Sequence, residues 1–418
     1  MTVTTIFNLV ALLITLAAAF GYVNHRWLRL PHTIGLVVIA LAVSFVVLLV
    51  DNVFPKSGLE ETVRRTLIDI DFADTLMKGF LSFLLFAGAL HVDLDALISR
   101  RWTISVLATG GIVISTIIIA SLMFYVFSIL GFNISFSYCL VFGALISPTD
   151  PVAVMGILKD IKVPGTLKAK IAGESLFNDG VGIVLYAVMV TLATRHASDV
   201  DIHLSDVAKL LITETFGGVA LGLVAGFLAY RAMRTINEHN LEVLITLALV
   251  MATYTLATGL HLSGPLAVVV AGLFIGNHGK RFAMGLETRE HIDKFWSLID
   301  EVLNSLLFLA IGFEVIAITF TESIISAVVL AVPVVLLARW ISVALSITLL
   351  GLSREFIKGA IPVLTWGGLR GGISVALALS LPESNAKSTI LAITYGIVIF
   401  SIVVQGLTFK KVVRAWIR

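Results

Sequence analysis

Charged residues are scarce in this chain of 418 residues. Asp, Glu, Lys and Arg together make up 13% of it, whereas soluble proteins average about 25%. Hydrophobic residues account for 58%, and the mean hydropathy is +1.02. Many apolar runs reach the roughly 20 residues that a membrane-spanning helix needs. The composition therefore excludes an ordinary soluble protein and predicts an all-α polytopic membrane protein whose main partner is the lipid bilayer.

Cysteine and net charge are also low. The single cysteine, Cys139, excludes an intramolecular disulfide, and its apolar neighbours predict a small buried side chain. A net charge of +2 gives no general basicity that would indicate nucleic acid as a partner. The N-terminal segment has no positive charge ahead of its first apolar run. We therefore expect a retained first helix rather than a cleaved signal peptide.

The apolar runs predict about thirteen membrane-spanning helices. They lie near residues 4–22, 32–50, 73–92, 102–130, 135–158, 166–194, 207–230, 241–260, 264–279, 292–313, 322–350, 355–381 and 387–409. Lys and Arg concentrate in alternate loops, nineteen in one set against five in the other. The positive-inside rule places the richer set in the cytoplasm. With an odd number of spans, the N-terminus is then expected outside and the C-terminus inside.

The predicted spans nevertheless enclose charged residues, including a set of seven. A charged side chain at a helix centre costs about 2.5–3.5 kcal/mol even on the lenient insertion scales. These groups must therefore face one another or water rather than lipid. For Arg339 and Asp300, a structural ion pair or a charge that reaches the membrane surface is a sufficient explanation. The seven residues are Asp150, Glu174, Asp179, Asp300, Glu301, Arg339 and Arg370.

The sixth predicted span carries the densest polar motif, GESLFNDG at residues 173–180. Glu174 and Asn178 are four residues apart, and so are Ser175 and Asp179, so each pair shares one helical face. A hydroxyl and a carboxylate directed to one point are hard oxygen ligands suited to a small cation. Glu174 faces elsewhere and needs a positively charged partner. The motif therefore predicts a cation site supported by an ion pair.

The fifth predicted span contains ALISPTDPVAVMG, in which Pro148 and Pro151 bracket Thr149 and Asp150. Proline removes a backbone donor and breaks a helix. Broken backbone at membrane depth is tolerated where it lines a cavity within the protein. Asp150 could cap the second half of the helix, and the carbonyl of Thr149 would be free to coordinate an ion. A simple proline kink is the alternative.

The twelfth predicted span reads VLTWGGLRGGISVALALSLP, with four glycines around Arg370. Secondary transporters are often built from inverted repeats that have interrupted helices in matching positions. The fifth and twelfth spans lie seven helices apart, an odd offset that would invert the second repeat in the membrane. Arg370 is expected to pair with Glu174, since an unpaired guanidinium is costly there. Tight glycine packing beside an arginine that reaches the surface is the alternative.

Four motifs in this order resemble a known family: SPTDPVAV, GESLFNDG, GGLRGGIS and TYGIVIFSIVVQGLT. They resemble monovalent cation/proton antiporter family 1, the NhaP-type sodium/proton exchangers, and the resemblance spans essentially all the predicted helices. It implies the NhaA-like antiporter fold, with two inverted repeats and two interrupted, crossing helices. It also implies exchange of Na⁺ or Li⁺ for H⁺ across a plasma (bacterial inner) membrane, with no cofactor besides the transported ions.

The resemblance also implies roles for individual residues. The ion and proton site is expected to contain Asp179, Ser175, Thr149 and Asp150, the first three of them as ligands of Na⁺. The supporting residues are expected to be Asn178, Glu174 and Arg370. An asparagine at position 178 is typical of the electroneutral, one-for-one exchangers, whereas the electrogenic branch has an aspartate there.

The resemblance further implies a homodimer in which each protomer has two domains. Residues 1–92 and 201–314 would form a dimerisation domain, and residues 93–200 and 315–418 a moving core. One departure concerns the third span, where some archaeal members carry a glutamate ligand in a pattern like FEAAL. This chain reads FAGALHVDL, so Ala87 takes that place. His91, one turn further on, could contribute to the site, but a satisfied polar residue at the helix end fits better.

These residues suggest a mechanism in which one carboxylate, Asp179, holds either a proton or a cation. Either loaded form is neutral and can cross a low-dielectric barrier without moving a bare charge. A K⁺/H⁺ exchanger or an anion symporter on the same architecture, and a cation channel, remain as alternatives. An intramembrane protease is disfavoured, because GxGD is absent and GESLF is not the GxSxG motif of a serine nucleophile.

Overall fold

A computed structural model describes residues 3–54, 79–95, 105–150, 154, 165–196, 204–318, 321–351 and 359–416. Helices joined by short turns make up these residues, and no strand occurs among them. Within these ranges, eight helices are long and apolar enough to cross a membrane. The expected all-α membrane class is therefore confirmed. The count of thirteen spans and the inverted repeats remain predictions.

Fifteen helices longer than six residues organise the described ranges. The first seven are α1 (Val3–Val23), α2 (His32–Val53), α3 (Leu81–Leu90), α4 (Gly111–Ile129), α5 (Phe136–Ile146), α6 (Gly165–His196) and α7 (Leu204–Met233). The others are α8 (His239–Gly259), α9 (Gly264–Phe274), α10 (Leu286–Glu314), α11 (Glu322–Gly351), α12 (Ala360–Trp366), α13 (Gly372–Leu379), α14 (Lys387–Phe400) and α15 (Gly406–Trp416). Four five-residue π-helical segments adjoin these helices in the described ranges: Asn24–Leu28, Val106–Gly110, Ile275–Gly279 and Ser401–Gln405.

The helix boundaries differ from the predicted spans in two informative places. α10 begins at Leu286, six residues before the predicted start at 292, because its first turns are an amphipathic, charged extension that hydropathy does not detect. The last span continues as helix from Lys387 to Trp416, through the π-helical segment Ser401–Gln405. The first part of the predicted third span, residues 73–78, lies outside the described residues.

Two helices are interrupted where the sequence predicted. α5 ends at Ile146, and residues 147–150 are not helical. The rest of that predicted span lies outside the described residues, apart from Val154, which is helical. α12 ends at Trp366 and α13 begins at Gly372, with irregular backbone between them. The two breaks meet, because the Asp150 amide donates a 2.8 Å hydrogen bond to the Leu369 carbonyl.

The packing divides the described helices into two groups. In the first, α9 packs against α3, α7 and α8, and α10 packs against α2 and α3. In the second, α5 packs against α4, α6 and α13, and α11 packs against α4, α12 and α14. Cys139 lies fully buried in this second group, as its apolar neighbours predicted. α6 also contacts α3, α7 and α9, so it lies where the two groups meet.

Replacing Gly182 with alanine is expected to destabilise the protein. A Cβ atom there would collide with the ring of Pro148, which the glycine allows to pack directly on α6. Overpacking of this kind costs typically about 1–3 kcal/mol. The measurement is the apparent unfolding temperature of the purified protein in detergent. Gly180→Ala on the same helix is the matched control, since its Cβ would meet only a leucine methyl at 3.4 Å. Equal unfolding temperatures for the two variants would contradict the packing argument.

Candidate ion-binding site

The polar motif of α6 is buried. Glu174, Ser175, Asn178 and Asp179 are each between 1% and 4% exposed. A continuous α-helix through these positions stacks residues four apart on one face, as the spacing predicted. Four polar side chains in the interior of a membrane helix must each be matched by partners or by a ligand. Their partners therefore determine what the site can do.

Thr149, in the break after α5, joins that break to α6. Its hydroxyl lies 3.2 Å from the Ser175 hydroxyl and accepts a 2.8 Å hydrogen bond from the Asn178 amide nitrogen. Its backbone N–H donates to the Asn178 amide oxygen at 3.3 Å. Asn178 thus uses both the donor and the acceptor of its side-chain amide to bind one residue, Thr149. An ionised aspartate has no donor, so an amide fits this position better than a carboxylate.

Asp179 is the least satisfied member of the motif. Its side chain is 3% exposed, and one carboxylate oxygen, Oδ1, has no hydrogen-bond partner among the residues that the structure describes. Asp150 and Arg370 both interact with it electrostatically. Leaving a buried carboxylate oxygen unpaired costs free energy, and this oxygen is able to accept a further partner. A proton or a small cation would satisfy it.

Arg370 closes the break in the fifth span. The guanidinium nitrogen Nη1 donates to the backbone carbonyls of Ser147 and, at 2.7 Å, of Pro148. Those carbonyls belong to the residues where α5 stops, and Pro148 itself brings no N–H. The backbone N–H of Arg370 donates to the Ser401 hydroxyl at 2.8 Å. A positive charge on one interrupted helix therefore satisfies the free carbonyls of the other.

A short chain of hydrogen bonds connects the residues after α14 to the break between α12 and α13. The Ser401 hydroxyl donates to the Gln405 side-chain oxygen at 2.7 Å, and the Gln405 amide donates to the Trp366 carbonyl at 3.2 Å. Both side chains come from the π-helical segment that follows α14. π-Helical turns frequently occur at functional sites. Here the widened turn directs Ser401 and Gln405 towards the end of α12.

The prediction that Glu174 forms an ion pair with Arg370 is wrong. The partner of Glu174 is Arg339 on α11, with Nη1 and Oε1 2.5 Å apart and both side chains buried. Arg339 also donates to the Leu364 carbonyl at 3.3 Å. Arg370 is instead engaged by the carbonyls at the α5 break, which the sequence could not show. The structural-pair interpretation of Arg339 is confirmed.

Neither Ala87 nor His91 places a further ligand in this site. Ala87 is 1% exposed within an apolar cluster, so the glutamate of the archaeal pattern has no equivalent there. The His91 ring contacts the Ala87 carbonyl at 2.7 Å and the Ser297 hydroxyl at 3.3 Å. It also lies 3.7 Å from Asp293. His91 is thus a satisfied polar residue at the end of α3, as expected.

Comparison with known proteins identifies the family. The sequence profile of the family described as "Sodium/hydrogen exchanger, transmembrane" matches residues 12–415. The chain belongs to the sodium/hydrogen exchanger family. It is 45% identical over 414 residues to the Na⁺/H⁺ antiporter NhaP of Pseudomonas aeruginosa, covering 97% of this chain and 96% of that protein. It is 31% identical over 390 residues to the Na⁺/H⁺ antiporter NhaH of Halobacillus dabanensis, covering 93% of each.

The fold of this sodium/hydrogen exchanger family member also matches a solved antiporter. The sodium proton antiporter MjNhaP1 from Methanocaldococcus jannaschii, determined at pH 8, superposes with a TM-score of 0.76. The match covers 99% of this chain and 98% of that one, at 19% sequence identity. At that identity the likeness concerns the fold alone. The family resemblance drawn from the four motifs is therefore confirmed by sequence, and the antiporter fold by structure.

Proposed function

We propose that this chain exchanges Na⁺ for H⁺, one for one, at a single site centred on Asp179. The observation that carries the proposal is a buried carboxylate oxygen of Asp179 that has no hydrogen-bond partner in the described part of the chain. It lies one helical turn from the buried hydroxyl of Ser175, on the helix that contacts both packing groups. Relatives at 45% and 31% identity are named as Na⁺/H⁺ antiporters, which supports these two ions as substrates.

The neighbouring groups suit a small alkali cation. The Ser175 and Thr149 hydroxyls lie 3.2 Å apart, and the break that contains Thr149 leaves backbone carbonyls outside a helix. Hydroxyl, carbonyl and carboxylate oxygens are hard ligands, which hold Na⁺ or Li⁺ better than soft metals. Asp150 interacts electrostatically with Asp179 and adds negative charge beside the site. We assign Asp179, Ser175 and Thr149 as the direct ligands of Na⁺.

The charges of the site explain one-for-one exchange. The Glu174–Arg339 pair is neutral as a unit, and Asp150 and Arg370 contribute one charge of each sign. Asn178 adds no charge. Asp179 therefore leaves the empty site with a net charge of about minus one, and one proton or one Na⁺ neutralises it. Burying an uncompensated charge is costly, so the loaded forms cross the membrane barrier and the empty form does not.

In the proposed mechanism, one of the two packing groups moves relative to the other and thereby exposes the site to each side of the membrane in turn. We assign residues 1–92 and 201–314 to a dimerisation domain within a homodimer, and residues 93–200 and 315–418 to a core that moves like an elevator. The grouping of α1–α3 with α7–α10, and of α4–α6 with α11–α15, supports this division. With the Lys- and Arg-rich loops in the cytoplasm, the N-terminus lies outside and the C-terminus inside.

Proton flux in proteoliposomes tests the proposal. The purified protein is expected to move protons when Na⁺ or Li⁺ is added, and the initial rate should be unchanged when valinomycin and K⁺ clamp the membrane potential. Exchange of one Na⁺ for one H⁺ moves no net charge, so the membrane potential should not change its rate. A rate that rises several-fold under the clamp would indicate electrogenic exchange. A response to K⁺ alone would identify a K⁺/H⁺ exchanger, and Na⁺ flux without proton movement a channel.

A further inference from the structure

A cluster of metal-ligand side chains lies outside the ion-binding site, where α8 and α10 begin. His239 is the first residue of α8. Glu287 and His291 lie in the first two turns of α10, four residues apart and so on one face. The residues just before them include Lys280 and Arg281, which belong to the Lys- and Arg-rich set of loops. The cluster is therefore on the cytoplasmic side in the proposed orientation.

The geometry of the three side chains is close to that of a metal site. One potential ligand atom from each residue lies within 4.8 Å of the other two. The imidazole rings of His239 and His291 are stacked, with centroids 4.3 Å apart and planes inclined by 17°. Two neutral imidazoles beside a carboxylate form a donor set typical of Zn²⁺ and related dications.

A second, independent feature favours a cation at this place. Glu242, one turn after His239, is 1% exposed, and its Oε2 has no hydrogen-bond partner within the described ranges. Its carboxylate is hydrogen-bonded by Thr288, the residue after Glu287, and interacts electrostatically with His239. Glu238 caps α8 by accepting a 2.8 Å hydrogen bond from the Leu241 amide. Glu238 and Glu242 thus place two further carboxylates at the start of α8, and that of Glu242 interacts with the proposed ligand His239.

We propose that His239, Glu287 and His291 bind one transition-metal dication, of which Zn²⁺ is the best fit, with water completing the coordination. Three protein ligands and an open position are typical of a Zn²⁺ site that is not fully enclosed. The ion would join the start of α8 to the start of α10, two helices that also meet where Trp296 donates a 3.0 Å hydrogen bond to Thr246. It is not the transported ion, because imidazole is a poor ligand for alkali cations.

Equilibrium dialysis against Zn²⁺ tests this site on the full chain, purified without a polyhistidine tag and stripped with a chelator. We expect one Zn²⁺ per chain, visible d–d absorption when Co²⁺ is used instead, and a higher unfolding temperature with either metal. Residues that merely support a metal ligand change affinity about 10–100-fold when mutated. Substituting a direct ligand, as in His291→Gln or Glu287→Gln, should therefore weaken Zn²⁺ binding at least tenfold.

Glu290→Gln is the matched control, because Glu290 is exposed on the same turn of α10 and its ion pair is with Lys294, at 2.6 Å. It should bind Zn²⁺ as the unmodified chain does. Undiminished binding by the double variant His239→Gln with His291→Gln would overturn the proposal, and so would the absence of saturable Zn²⁺ binding by the unmodified chain. These outcomes do not depend on transport, so they leave the proposed exchange activity to its own test.

Discussion

Asp179→Asn is expected to reduce Na⁺-dependent proton flux to the background of liposomes without protein, while the chain still folds. An amide has almost the same shape as a carboxylate, but it neither carries a proton through the membrane nor neutralises a cation. The empty site of the variant would no longer hold the negative charge that both substrates neutralise. Because one oxygen of Asp179 is buried without a partner in the described structure, the amide should also leave stability unchanged or raise it.

The measurement is the initial rate of proton movement after a Na⁺ pulse in proteoliposomes, together with the elution profile and unfolding temperature of each protein. Glu301→Gln provides the control, since it makes the same chemical change at an exposed position of α10. Normal exchange by Asp179→Asn, at equal protein content, would show that the site lies elsewhere. A variant that is inactive but also unfolds or aggregates calls for Asp179→Glu, which keeps the charge and should retain a reduced rate.

The sequence predicted the features of this molecule that depend on local chemistry. Pro148 and the glycines around Arg370 interrupt helices because each acts on its own turn of backbone, and both breaks are present. Ser175 and Asp179 share a face because four residues make about one helical turn. The burial of Cys139 followed from its apolar neighbours. In each case the cause and its effect lie within a few residues of one another.

Features that depend on how distant helices pack were not accessible from the sequence. The sequence showed that Glu174 needs a positively charged partner. It could not show which of two arginines is that partner, because this depends on which arginine binds the backbone carbonyls at the α5 break. Those carbonyls take Arg370 and leave Arg339 for the carboxylate. The cluster of His239, Glu287 and His291 was missed for a related reason. Its members belong to two helix starts that the predicted spans placed in loops.

The position of Asn178 connects local structure to stoichiometry. Its amide donates to the Thr149 hydroxyl and accepts from the Thr149 N–H, so it fixes the broken helix without adding a charge. A second ionised carboxylate in the same place would need a second positive charge for neutrality. The hydrogen bonds of Asn178 therefore support the proposed exchange of one Na⁺ for one H⁺.

The second large effect is expected from the Glu174–Arg339 pair. Removing one member of a buried ion pair leaves an uncompensated charge and costs about 3–5 kcal/mol. Arg339→Met and Glu174→Gln should therefore each lower the apparent unfolding temperature in detergent markedly. The double variant contains neither charge, so it should be more stable than the two separate losses would predict. The difference is the coupling energy of the pair, which is about 0.5–3 kcal/mol for contacting residues.

A second double-mutant cycle, which combines Glu174→Gln with Arg370→Met, distinguishes the observed partner of Glu174 from the one that the sequence suggested. Arg370 interacts with Glu174 electrostatically, but its Nη1 donates to the Ser147 and Pro148 carbonyls. Neutralising Glu174 does nothing to satisfy those carbonyls once Arg370 is gone, so the two losses should be nearly additive. A larger coupling to Arg370 than to Arg339 would mean that Arg370, rather than Arg339, is the partner of the Glu174 carboxylate in the purified protein. In that case the neutral unit of the charge count would be Glu174 with Arg370, and Arg339 would become the charge that balances Asp150.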